Sequence, residues 1–106
     1  MKFVYVFRGG DDVPEDQKEG RMAKWGVWIE GLGEACLDGA PFGDGGKILR
    51  SSDGPPEEGA FGEGEQEVGG YIIVEAKSMD QAVEWARGCP AYDVNGVVEI
   101  REAIEM

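Results

Sequence analysis

Short apolar runs alternate along this chain with long polar, glycine-rich stretches. Phe3-Val4-Tyr5-Val6-Phe7 is the first run. It is aromatic and β-branched throughout and is closed by Arg8-Gly9-Gly10, which predicts a strand. Asp12 offers a helix cap ahead of Val13-Pro14. Beyond it, Met22, Trp25, Ile29 and Leu32 recur at helical spacing, with Trp28 beside the stripe. Gly20 and Gly26 each weaken that helix by about 1 kcal/mol relative to Ala, so tertiary packing must hold it. Gly31 or Gly33 would end it.

Ala35-Cys36-Leu37 reads as a short second strand. Turn-forming residues fill positions 38–46, and positions 47–50 read as a further short strand, paired with the second as a hairpin. An acid-rich loop occupies positions 51–67, after which Gly69-Gly70 feeds the most apolar strand, at positions 71–76. Ser78 and Gln81 form a capping box for a second helix. Its apolar surface is Ala82, Val83, Trp85 and Ala86, and Gly88 and Pro90 close it. Positions 97–101 make the last strand.

The order strand, helix, strand or hairpin, strand, helix, strand is the split βαβ pattern. It predicts an α+β, ferredoxin-like antiparallel sheet with two helices on one face. Strand residues alternate between faces. Phe3, Tyr5 and Phe7 share one face and Val4 and Val6 the other; Tyr71 and Ile73 oppose Ile72 and Val74; Val97, Glu99 and Arg101 oppose Val98 and Ile100. The helices are expected on the small aliphatic face. Phe3, Tyr5, Phe7, Tyr71 and Ile73 would then be exposed unless a second copy packs sheet on sheet as a homodimer. Glu99 and Arg101 would bring charge into that interface and make it a polar-lined cleft.

With 106 residues, the chain is expected to form one domain, residues 1–106. It carries 22 acidic residues against 10 basic ones and no histidine, a formal net charge of −12. That charge argues against nucleic acid and against an anionic membrane surface as partner. Asp53, Glu57, Glu58, Glu63, Glu65 and Glu67 crowd one loop without a Lys or Arg. They lack the spacing of a calcium loop, so no metal is expected. Cys36 and Cys89 form no CxxC pair and are expected to be reduced thiols. No stretch is long enough to span a membrane and no signal-peptide core is present, so the expected location is cytoplasmic. No Walker loop or dinucleotide fingerprint appears, and no cofactor is expected. The run GDGGK at positions 43–47 superficially resembles a phosphate loop but lacks its spacing, and a hairpin turn explains it.

Taken together, these segments resemble the YCII-related, or DGPF-domain, family of small dimeric ferredoxin-like proteins. MAKWGVWIEGL, from Met22 to Leu32, is similar to that family's Trp-bearing first helix. LDGAPFGDGGKIL, from Leu37 to Leu49, is similar to its Gly-rich hairpin, and VEWARGCP followed by VVEIREA to its second helix and closing strand. The resemblance implies a dimeric α/β barrel. Counting back from Tyr71 without gaps puts Glu58, Gly59, Ala60 and Phe61 on the Asp-Gly-Pro-Phe signature, Glu63 on its first glutamate, and Gly69, Gly70 and Tyr71 on its closing triplet. The literal Asp53-Gly54-Pro55 lies five residues too early unless an insertion intervenes. Asp is replaced by Glu58, Pro by Ala60, and the usual lysine by Glu65. Some relatives use a His–Asp pair; with no histidine, that dyad has no counterpart here.

Two functional readings follow, with a purely structural assembly domain as a third. The first is a homodimer binding a small molecule in a cleft between sheets, lined by Tyr5, Phe61, Glu63, Gly69, Gly70, Tyr71, Glu99 and Arg101. The second is a cofactor-independent lyase or isomerase using carboxylate acid–base chemistry, with Glu58 and Glu63 as candidates and Arg101 as their electrostatic partner. The residues alone do not decide whether the protein is an enzyme.

Overall fold

The computed structural model describes residues 1–43 and 45–105. In chain order the elements are β1 (Lys2–Gly9), α1 (Lys18–Leu32), β2 (Cys36–Pro41), β3 (Lys47–Ile48), β4 (Glu57–Glu58), β5 (Val68–Glu75), α2 (Met79–Ala86) and β6 (Gly96–Ala103). Four strands form one antiparallel sheet in the order β2-β5-β1-β6. With α1 and α2 this is the α+β, ferredoxin-like arrangement expected from the element order.

The face covered by the helices is the opposite of the one expected. Phe3 and Tyr5 are fully buried, together with Ile72, Val74, Ala82 and Ala86. Register explains the grouping: Phe3 pairs with Val74 and Tyr5 with Ile72, so aromatic and aliphatic side chains share the inner face. Large rings exclude more water than valines, and the helices close over the larger apolar area. The Tyr5 hydroxyl donates to the Ala82 carbonyl at 2.5 Å in the first turn of α2. Ala82 and Ala86, one turn apart, let α2 lie close to the sheet.

Both helices end as their residues dictate, but only α2 begins as expected. Ser78 caps α2 by accepting from the Gln81 amide at 3.1 Å, while the Gln81 side chain accepts from Lys77 N–H at 2.8 Å. Asp12 does not cap α1. Pro14 precedes a 3-10 turn at Glu15–Gln17, and α1 starts only at Lys18. Gly33, at φ 59°, terminates it. No α1 residue is fully buried. The helix is held by Trp28, whose indole N–H donates to the Trp85 carbonyl at 3.0 Å, and by ring contacts to Tyr5 and Phe7.

The expected hairpin between the second strand and positions 47–50 does not form. The second strand runs on to Pro41 and pairs with β5, while β3 pairs with β4 inside the acidic segment. Lys47 with Glu58 and Arg50 with Glu57 bind this small ribbon by ion pairs. It leaves Leu49 and Phe61 exposed, and Arg50 stands over the Phe61 ring at 5.3 Å. The ribbon stands away from the sheet, and the radius of gyration of 15.2 Å exceeds the roughly 13 Å of a compact chain this long. Asp44, in the turn-forming stretch, lies outside the described residues.

Stability is expected to fall as pH rises above 9. Burial, aided by Tyr92, pushes the Tyr5 phenol from 10 up to about 12. Burial also pushes the Cys89 thiol from 9 up to about 11. The unfolded chain therefore loses these protons first, and each loss favours unfolding. Urea midpoints measured from pH 8 to 12 check this. Tyr5→Phe should flatten the alkaline slope and cost about 1 kcal/mol at neutral pH for the lost hydrogen bond.

Candidate functional site

A cleft of about 760 Å³ opens between α1 and the covered side of the sheet. Met22, Trp25 and Ile29 line it from α1, on the one helix face that their spacing of three and four residues defines. Phe7 and Ile72 meet them from the strands. Phe7 and Trp25 stand edge to face, 4.8 Å between ring centroids and 85° between planes.

Glycines make the hollow. A Cβ on Gly70 would sit 2.8 Å from the Ala40 carbonyl oxygen and 3.0 Å from the Pro41 Cα. One on Gly39 would sit 2.7 Å from the Tyr71 carbonyl oxygen. β2 and β5 can approach this closely only where one strand has no side chain. The consequence is a floor that lacks side chains at positions 39 and 70 beneath the bulky face of α1.

The mouth is charged, and its cations are already paired. Arg21 Nη1 donates to Asp93 at 3.1 Å and Nη2 to the Pro90 carbonyl at 2.8 Å. Lys18 lies 3.0 Å from Glu15. On the opposite, uncovered face of the sheet Arg8 Nε donates to Glu99 at 2.8 Å. Asp11 and Asp12 also line the mouth, and Asp11 accepts from the Asn95 side chain at 2.6 Å.

The sequence-predicted site residues are scattered. Gly69, Gly70 and Tyr71 border the cleft. Tyr5 does not face the open side of the sheet; it lies in the core, its hydroxyl taken by Ala82. Glu58 pairs with Lys47 on the ribbon, Phe61 is exposed beside Arg50, and Glu63 is exposed at the start of a 3-10 turn. Glu99 and Arg101 sit on the uncovered face, where Arg101 also reaches Glu99 at 3.4 Å.

Asp11, Arg21, Met22 and Trp25 are among the cleft residues that escape the sequence reading in that role. The helical spacing of Met22 and Trp25 predicts a packed stripe, yet Met22 is 74% exposed. The available signal was the pair of glycines at 39 and 70, which leaves that stripe less to pack on. Cys89 is buried, and its raised thiol is protonated at neutral pH, consistent with a structural role. Among the described residues no group of three or more His, Cys, Asp or Glu could hold a metal ion, and no helix is long and apolar enough to cross a membrane.

A family model described as the YCII-related domain matches residues 15–106. The chain belongs to the YCII-related family. A search of the curated proteins finds no match. Among solved structures, the YCII-related chain is similar to 5-chloro-2-hydroxyhydroquinone dehydrochlorinase (TftG) from Burkholderia phenoliruptrix AC1100, in complex with 2,5-dihydroxybenzoquinone. The TM-score is 0.59 at 15% identity, with 100% of this chain and 96% of that chain covered. At that identity the likeness shows the fold.

Hydrogen bonds from Arg8 and, more weakly, Arg101 hold the Glu99 carboxyl below its usual range. A depressed carboxylate contributes stability above its unfolded pKa and loses it as pH falls through the folded value. Arg8→Gln is expected to raise the Glu99 titration midpoint, read by NMR of the side-chain carboxyl carbon. An unchanged midpoint would show that the ion pair does not govern that group.

Proposed function

We propose that this YCII-related protein is a homodimeric binding protein that takes a small, largely apolar molecule into the cleft beneath α1. The observation that carries this is the cleft itself. Its volume of about 760 Å³ lies within the roughly 300–1,000 Å³ of small-molecule sites, and apolar side chains line it with charge only at the mouth. Dimerisation uses a separate surface. Val4, Val6, Tyr71 and Ile73 form a half-exposed apolar group on the uncovered sheet face, framed by Arg8, Glu99 and Arg101. A second copy related by a two-fold axis buries such a face against itself. The ligand site then lies on the helix side of each sheet, not between the sheets.

Catalysis is the second reading, and the two carboxylates at the mouth favour it. A cofactor-independent lyase or isomerase step would fall to Asp11 or Asp12, which border the cleft, and not to Glu58 or Glu63. TftG is named for an elimination of this general kind and was solved with a small ring compound bound.

Two measurements test these proposals. The neutral fluorophore N-phenyl-1-naphthylamine should show saturable enhancement with the wild-type protein. Gly26→Phe, which has open space for a Cβ at the cleft wall, should abolish it while keeping the far-UV spectrum. Equal enhancement in both would remove the cleft from the proposal. By light scattering the protein should elute at twice its 11.5 kDa chain mass, and Ile73→Asp should shift it to the monomer mass. A wild-type monomer at micromolar concentration would end the dimer proposal.

A further inference from the structure

We propose that Trp25 is the specificity-determining residue of the cleft, its indole N–H donating to a neutral, planar aromatic ligand that carries a carbonyl oxygen. This rests on the cleft being the binding site and names what it selects. Trp28 commits its N–H to the Trp85 carbonyl at 3.0 Å. Trp25 lines the cleft and, among the described residues, donates no hydrogen bond, and no side-chain nitrogen or oxygen is buried without a partner. Its N–H is therefore open to solvent or to a ligand. The ring is held on two sides, by Phe7 at 4.8 Å and Trp28 at 5.8 Å, both near perpendicular. A donor on a ring fixed in this way loses little freedom on binding, and the surrounding aromatic edges and faces suit another flat ring.

Charge selects the neutral form of that ring. Lys18 and Arg21 each have a carboxylate partner within 3.1 Å: Glu15 and Asp93. Asp11 and Asp12 add acid at the same mouth. The residual field is negative, as is the whole chain at −12. An aromatic carboxylate would meet repulsion that a ketone of the same size escapes.

The experiment titrates acetophenone and benzoate into the 15N-labelled protein, wild type and Trp25→Phe. The expected result is that acetophenone moves the Trp25 indole N–H signal downfield and leaves that of Trp28 in place, while benzoate at equal concentration moves it less. Trp25→Phe keeps a ring against Phe7 and should weaken acetophenone binding about fivefold or more, the loss of one hydrogen bond. If acetophenone shifts the Met22 and Ile29 methyl signals equally in both proteins and the Trp25 N–H stays still, the Trp25 assignment is overturned and the cleft survives. If no cleft signal responds to acetophenone, the binding proposal fails and the assignment with it.

Discussion

Tyr5 fastens this fold at its centre. Its ring is fully buried between sheet and helices, its hydroxyl is bound to the Ala82 carbonyl, and its face lies 5.9 Å from Trp28. A buried hydroxyl without a partner is costly, so α2 must present that carbonyl at that place. Trp28 in turn ties α1 to α2 through the Trp85 carbonyl. Two hydrogen bonds thus set the relation of sheet, α1 and α2. Everything exposed, including the apolar half of the other sheet face, follows from which side Tyr5 occupies.

The order of elements was legible from the residues, because it rests on local chemistry. Ser78 with Gln81, Gly33, and the alternation in β1 and β5 each act over a few positions. The covered face was not legible in the same way. Both faces of β1 are apolar, Phe3-Tyr5-Phe7 against Val4-Val6, and periodicity cannot rank two apolar faces. Area can: rings remove more surface from water than valines, and the polar end of Tyr5 found a carbonyl. The failed hairpin has a comparable cause. β2 pairs with β5 at five positions, whereas β3, only two residues long, has just β4 and its ion pairs. Of the candidate site, Gly69, Gly70 and Tyr71 follow from the family pattern, but Met22 and Trp25 are hidden inside a stripe that reads as core.

The cleft is a by-product of strand packing. Gly39 and Gly70 are needed because β2 and β5 lie too close for a Cβ. Their bareness then leaves a gap in the floor beneath the large side chains of α1. A helix with Gly20, Gly26 and Gly31 in its length gains little from intrinsic propensity. It is held at its C-terminal half by Trp28, Ile29 and Leu32 against the core, while its N-terminal half spans the hollow. The same two facts that weaken α1 therefore make room for a ligand beneath it.

Family membership and chemistry separate at this cleft. The ferredoxin-like sheet, the glycine pair before Tyr71 and the Trp-bearing helix all belong to the scaffold, and a scaffold supports many chemistries. The His–Asp pair of some relatives has no counterpart in a chain without histidine. What this chain retains near the hollow is a pair of aspartates, two already paired cations and a fixed indole. Acid–base catalysis asks that a reacting atom be placed within reach of one of those aspartates. Recognition asks less of the same groups. A fixed donor, a flat apolar wall and a field that rejects anions are enough to bind a neutral ring, and this geometry supplies those three before any acid–base role is assigned.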